Sequence, residues 1–194
     1  MEGSRQVTIE RIICCCLAAI VVLLAGGCSS LKVVETWHKP AVSAHHYQKV
    51  MILGIGRNEN LRQLFENLVV EELQNRQVVA IPSYTVIPDL EKTTHAAIVA
   101  AIRTSGCDAV LTARALSVGD NTVTQEGQGS VYGAGTRSSY DFLRATLQTN
   151  LYDAATEELV WSSAVTTFDA DRKVRVGREL GRFYFESLRH IGML

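Results

Sequence analysis

The sequence predicts an α/β fold, a β-α-β-α-β-β-β-α sandwich with helices packed on a mixed sheet. Three observations predict it. Short apolar runs at 49–55, 78–81 and 108–113 alternate with stretches whose apolar residues recur every three or four positions. A strict two-residue alternation then fills 143–152 and is answered by a second apolar-rich run at 159–168. One more amphipathic helix closes the chain from Arg172. Strands and helices that alternate before a hairpin and a last helix form layers over one sheet.

Taken in order, the first segment is an address. Residues 1–11 are polar and carry Arg5 and Arg11, whereas Ile12 to Ala25 is apolar and uncharged. Such a run suits the core of a signal peptide and is short for a membrane span, which needs about 20 residues. Ala25-Gly26-Gly27 supplies the small residues that a signal peptidase requires ahead of Cys28. The segment Leu24 to Cys28 resembles the lipobox of bacterial lipoproteins, with Ala25 where leucine is commonest. The resemblance implies diacylation of the Cys28 sulfur, cleavage before it and acylation of the new amine. Two or three acyl chains on one residue anchor durably, where one chain binds only reversibly. Ser29 resembles the outer-membrane default of Gram-negative lipoproteins, in which an aspartate at that place commonly means retention in the inner membrane. The expected organisation is a cleaved signal peptide over 1–27, a lipidated Cys28 and tether over 28–46, and one α/β domain over 47–194. The alternative is an uncleaved anchor helix with a coincidental cysteine.

Residues 29–46 read as a tether with little core, in which 33–37 can add an edge strand and Trp37 can pack on the domain. Lys49–Ile55 is a buried strand. Gly56-Arg57-Asn58-Glu59-Asn60 is a polar loop in which Asn58 or Asn60 caps the next helix. Leu61, Leu64, Phe65, Leu68, Val69 and Leu73 give that helix one apolar stripe, with Glu66, Glu71, Glu72 and Arg76 on or near its polar side. Val78–Ile81 is the second strand, ended or kept at an edge by Pro82, which has no N–H to donate. Thr93 or Thr94 caps a second helix faced by Ala97, Ile98, Ala101 and Ile102, and Gly106 suits its left-handed C-cap. Asp108–Ala113 is the third strand. The glycine- and serine-rich stretch 117–139 reads as a flexible loop or a long, irregular hairpin. The alternating strand 143–152 turns through Asp153–Glu158 into its partner. In the last helix Val176, Leu180, Phe183, Tyr184 and Ile191 form the apolar stripe. Gly177 and Gly181 weaken this helix by up to about 1 kcal/mol each relative to alanine unless they serve close packing.

Composition narrows the function classes. The chain has 194 residues with 19 basic and 20 acidic side chains, a net charge of -1 that points to no nucleic acid. Only Cys107 lies in the body of the protein, so no internal disulfide or four-cysteine metal site can form. Cys107 reads as a small buried hydrophobe. Gly54-Ile55-Gly56 is an ordinary strand-to-helix turn, because a dinucleotide fingerprint would need glycine where Glu59 stands. No cofactor is expected. His45-His46, with His38 nearby, has no cysteine or carboxylate cluster to complete a metal site, and none is expected. Ser83, Tyr84, Asp89 and His95 are hydrolase residue types without a nucleophile elbow, so the protein is not expected to be an enzyme. Arg175, Arg178, Arg182 and Arg189 fall near one face of the last helix, a possible binding surface for an anionic envelope polymer or a partner protein. The plainer reading of that stripe is a solvated face partly paired with Glu179 and Glu186.

Three stretches carry a wider resemblance. Lys49–Leu73 reads as a strand and an Arg62-x-x-Phe65-Glu66 helix. Gly106-Cys107-Asp108-Ala109-Val110-Leu111 reads as the entry to a strand, and Leu151–Ser162 as a "D-x-x-T-x-E-x-V-W" hairpin. Together they resemble the envelope-lipoprotein α/β fold of the curli secretion lipoprotein, the penicillin-binding-protein activator lipoprotein and the N-terminal domain of the Tol translocation protein. The resemblance implies fold and compartment: a lipid-anchored, non-enzymatic binding or assembly module on the periplasmic face of the outer membrane. Its expected partners are the membrane itself and another envelope protein or polymer. The alternative is a subunit of an oligomeric outer-membrane secretion pore. Within 117–139, Val123, Val131 and Tyr132 are too few for a lipid-facing strand.

Overall fold

In the computed structural model, residues 30–40, 46–126, 137–168 and 172–194 are described, with the backbone alone for 120–126 and 137–143. Six strands form one mixed sheet. They are β1 (Leu31–His38), β2 (Lys49–Ile55), β3 (Val79–Pro82), β4 (Ala109–Glu126), β5 (Arg137–Asp153) and β6 (Leu159–Thr167). Their order across the sheet is β1-β6-β5-β4-β2-β3. The helices are α1 (Glu59–Gln74), α2 (His95–Ser105) and α3 (Lys173–His190). The predicted α/β architecture, with helices packed on a mixed sheet, is the observed one.

Topology follows from connection rules. β3 and β4 both pair in parallel with β2, one on each side of it. Right-handed crossovers that turn in opposite directions put their helices on opposite faces of a sheet. The alternation of β2 fits this division. Val50 and Ile52 pack in the core with residues of α1 and α3, while Met51 and Leu53 pack with partly buried residues of α2. From β4 onward the sheet is an antiparallel meander, and β1 returns to pair with β6 as the far edge.

The expected caps form. Asn58 Oδ1 accepts from Leu61 N at 3.0 Å and Thr94 Oγ1 from Ala97 N at 3.3 Å. Gly106 takes the left-handed C-cap with φ 67°. Gly177 and Gly181 serve close packing. A Cβ on Gly177 would lie 2.6 Å from Leu68 Cδ1, and one on Gly181 would lie 2.7 Å from Glu72 Cβ. These contacts advance together along both helices, so α1 and α3 run parallel with their N-termini at one end of the molecule.

Several expectations change. The stripe of α1 is displaced: Leu61 is 43% exposed, whereas Arg62 and Glu66 are buried at 3% and 0%. Ala97 of α2 is exposed, and Phe183 and Ile191 of the last helix are only partly buried. The edge strand expected at 33–37 forms and is longer, pairing with β6 from Leu31↔Thr167 to His38↔Trp161, so this part of the expected tether belongs to the sheet, although Trp37 remains 45% exposed. The stretch 117–139 is in part a hairpin. From Gly119↔Arg144 to Glu126↔Arg137, β4 and β5 pair as a ribbon beyond the reach of β2 and β6.

The motifs behind the family resemblance act as joints. The Asp108 carboxylate accepts from Gln48 N at 2.7 Å and Lys49 N at 2.9 Å, which ties the start of β2 to the start of β4. Asp153 Oδ1 accepts from Ala155 N at 3.0 Å and Thr156 N at 2.8 Å, closing the β5–β6 turn. Cys107 is buried and free, and burial pushes its thiol up from the ordinary value.

Candidate functional site

A concave feature lies at the carboxyl end of β2, beside β4 and the first turns of α1 and α3. Here β2 ends beside β4 at Gly54↔Ala113 and Ile55↔Arg114, and β4 runs on past it to Glu126. A cleft of about 310 Å³ opens there, within the size range of small-molecule sites.

Small side chains make the cleft. Its floor is Gly54, Ala113, Ala115 and Ala145, and its walls are Phe65 and Leu64 of α1 and Val176, Gly177 and Leu180 of α3. The strand register shifts between Ala115 and Ser117, which brings Val118 to the same lining. A bulge of this kind re-aims side chains beside sites. Gly54 has little room to grow, because a Cβ would meet Phe65 at 3.3 Å. Arg57, Asn58 and Lys173 stand at the rim, beside the N-termini of α1 and α3. Each helix start carries a partial positive charge from its unpaired N–H groups. Arg57 and Lys173 are exposed and make no ion pair among the described residues.

Behind one wall sits a buried polar network that the sequence reading missed. Arg62 Nε donates to Glu66 Oε1 at 2.9 Å, and Arg62 Nη2 donates to Ser83 Oγ at 2.9 Å and to the Ile87 carbonyl at 2.8 Å. Glu66 also accepts from Gly54 N at 2.9 Å, Ser83 Oγ at 2.7 Å and Tyr84 N at 3.0 Å. Both charges are therefore paired and further hydrogen-bonded, which a buried ion pair needs in order to persist. The network pins α1 to β2 and to the segment after β3, and so fixes one wall of the cleft. Ser83 and Tyr84 are structural partners in it. The available signal was the i, i+4 spacing of Arg62 and Glu66 on the core-facing side of the helix.

The arginines of α3 are exposed. Arg178 pairs with Glu71 of α1 at 3.3 Å, Arg175 with Glu179 at 3.6 Å, and Arg189 lies 5.7 Å over the Phe185 ring. They share a helix face, as their spacing required, but they are not drawn to the cleft. Cys28, Ser29 and His45 lie outside the described residues, as does the whole address segment. Among the described residues no group of His, Cys, Asp or Glu could hold a metal ion, and no helix is long and apolar enough to cross a membrane.

No family model matches the chain and no curated protein does. Solved structures do. A PelC dodecamer from Paraburkholderia phytofirmans is 14% identical at a TM-score of 0.49, covering 84% of this chain and 99% of that one. The lipoprotein GNA1162 from Neisseria meningitidis is 13% identical at 0.42, covering 73% and 98%. A minor lipoprotein from Acinetobacter baumannii is 10% identical at 0.35, covering 73% and 92%. Likeness at this level carries no assignment of function.

Proposed function

We propose that this protein is a lipid-anchored, non-enzymatic module of the bacterial envelope. Acylated Cys28 holds it to the periplasmic face of the outer membrane, and its domain binds or assembles with another envelope protein or polymer. One observation carries the reading: a lipobox-like segment ends at Cys28, and two residues later, at Ser30, the chain is already fastened to the domain. Ser30 N donates to Glu179 Oε2 at 3.1 Å, and Phe168 N donates to the Ser30 carbonyl at 3.2 Å. Two residues span at most about 7 Å, so a domain anchored at Cys28 rides on the membrane instead of hanging from a leash. The exposed Arg175, Arg178, Arg182 and Arg189 are the surface offered to an anionic polymer or partner. Fractionation with mass analysis of Cys28 tests the reading. A triacylated Cys28 in the outer-membrane fraction, and loss of membrane association in Cys28→Ala, are expected. An unmodified chain with residues 1–27 intact sinks it.

A second reading, a secretion-pore subunit, draws on the β4–β5 ribbon that outruns its neighbours. Its eight pairs approach the roughly 9–11 residues of a membrane strand. Its sequence alternates Asp120, Thr122, Thr124 and Glu126 against Asn121, Val123 and Gln125, so neither set is apolar. Ring-shaped oligomers in detergent would favour this reading, and a monomer by light scattering would remove it.

A further inference from the structure

We infer that the cleft end of the domain docks on the membrane that anchors it, and that the cleft takes one acyl chain of an anionic phospholipid. The inference rests on the anchored reading above and names the ligand of the cleft.

Position comes first. β1 begins beside the end of β6, at Leu31↔Thr167, and Thr167 lines the cleft. Ser30 is held by Glu179, in the second turn of α3, whose first turns form a cleft wall. Two residues span at most about 7 Å, so the reach from Ser30 to an acylated Cys28 starts at this end of the molecule.

Exposed apolar side chains come second. Ile55, Leu61 and Val118, all lining the cleft, are 42%, 43% and 61% exposed, and Val174 beside the rim is 49% exposed. An apolar cleft continuous with an exposed apolar rim marks a surface that is covered in use.

Charge decides between an apolar peptide and a lipid. The rim is cationic through Arg57 and Lys173 and the two helix N-termini. The nearby carboxylates are engaged, Glu59 by Arg62 and Gln63, and Glu179 by Ser30 and Arg175. A largely apolar interior under a positive rim matches an aliphatic chain that ends in a phosphate. The basic residues gain from an anionic surface, and the apolar volume gains from each methylene it buries.

The test uses the full-length chain in vesicles of phosphatidylethanolamine and phosphatidylglycerol. The vesicles contain a phospholipid with a photoreactive diazirine in one acyl chain. Mass spectrometry maps the labelled residues and, in the same sample, reads the state of Cys28. Label is expected on Ile55, Leu61 and Phe65, on Ala113–Val118 and on Lys173–Leu180. Ala115→Trp should lower cleft labelling at least about tenfold, the cost of keeping two methylenes out of an apolar site. Ala115 is exposed, so this change leaves the core alone. Val118→Asp at the mouth is the second variant, with circular dichroism as the check that both fold. Arg57→Gln and Lys173→Gln should each lower labelling about fivefold in phosphatidylglycerol vesicles, and little when phosphatidylcholine replaces the anionic lipid. Folded wild-type protein without cleft label overturns the inference, as do crosslinks from the cleft to a second copy or to another polypeptide. Acylated Cys28 without cleft label leaves the anchored reading intact and removes this one. Unmodified Cys28 with cleft label removes the anchored reading and keeps the lipid site.

Discussion

On one face of the sheet α1 and α3 contribute seven of their own residues to a buried cluster of eighteen, whereas on the other α2 covers a cluster of five and buries none of its own, among the described residues. Both α1 and α2 have sound caps and apolar periodicity, so neither capping nor pattern explains the contrast. Size and depth do. Ala97 and Ala101 give α2 little area to bury, and each buried methylene contributes only about 0.8 kcal/mol. The α1–α3 layer has Trp161, Phe183 and Tyr184 in mutual contact at 5.8–6.4 Å between ring centres. A hydrogen bond of 2.9 Å joins the buried hydroxyls of Thr149 and Tyr184. The difference teaches that one face specifies the fold while the other only shields the sheet.

The sharpest way to break this comparison is Glu66→Ala. It removes the buried carboxylate from Arg62, which keeps only the half-exposed Glu59, and takes the acceptor from Gly54 N, Ser83 Oγ and Tyr84 N, so it should cost about 3–5 kcal/mol in denaturant unfolding. A cost below about 1 kcal/mol would mean that the network is wet and the wall unpinned. Next, Leu180→Ala beneath α3 should cost about 2–5 kcal/mol, and Ile102→Ala on α2 about 1 kcal/mol. Equal losses at the two sites would erase the asymmetry. Gly181→Ala should destabilise by about 1 kcal/mol net, as overpacking against Glu72 and Val69 outweighs the gain in helix propensity. A stabilised variant would show that the helices separate at little cost.

The smallest effect belongs to the turn that joins two strands. Burial raises the Asp153 carboxyl, but hydrogen bonds from Thr156, Ala155 and Tyr47 outweigh it and hold the group below the ordinary carboxylate value. A folded pKa below the unfolded value of about 3.9 gives stability that is fully present above pH 4 and fades as pH falls below it. The stability gap between wild type and Asp153→Asn should therefore narrow with acid below about pH 4. A gap that is constant from pH 7 to pH 3 would contradict this.

Element types were largely legible in the sequence, because period and caps are local. The strands around 49–55 and 143–152, Asn58, Thr94 and Gly106 are read from a few neighbouring residues. The cleft was not legible. It depends on Gly54, Ala113, Ala115 and Ala145 from three strands meeting beneath two helices, and small residues in strands announce nothing by themselves. Glu66 was misread because charge suggests a wet face until a second charge, Arg62, and Ser83 are brought within reach. Residues 31–38 pair with a strand more than 120 positions later, so their pattern offered an edge strand at 33–37 but not its partner or its full length.

That pairing has a mechanical consequence. Hydrogen bonds in an antiparallel pair lie across the strands. A pull at Ser30 directed along β1 loads the β1–β6 bonds together, in shear. A pull across the sheet opens them one at a time, beginning at Leu31↔Thr167. Ser30 is the first described residue, and it is fastened on either route through Glu179 and Phe168. The domain thus withstands tension along its edge strand and yields to peeling, and the direction of force on the anchor sets how long it holds.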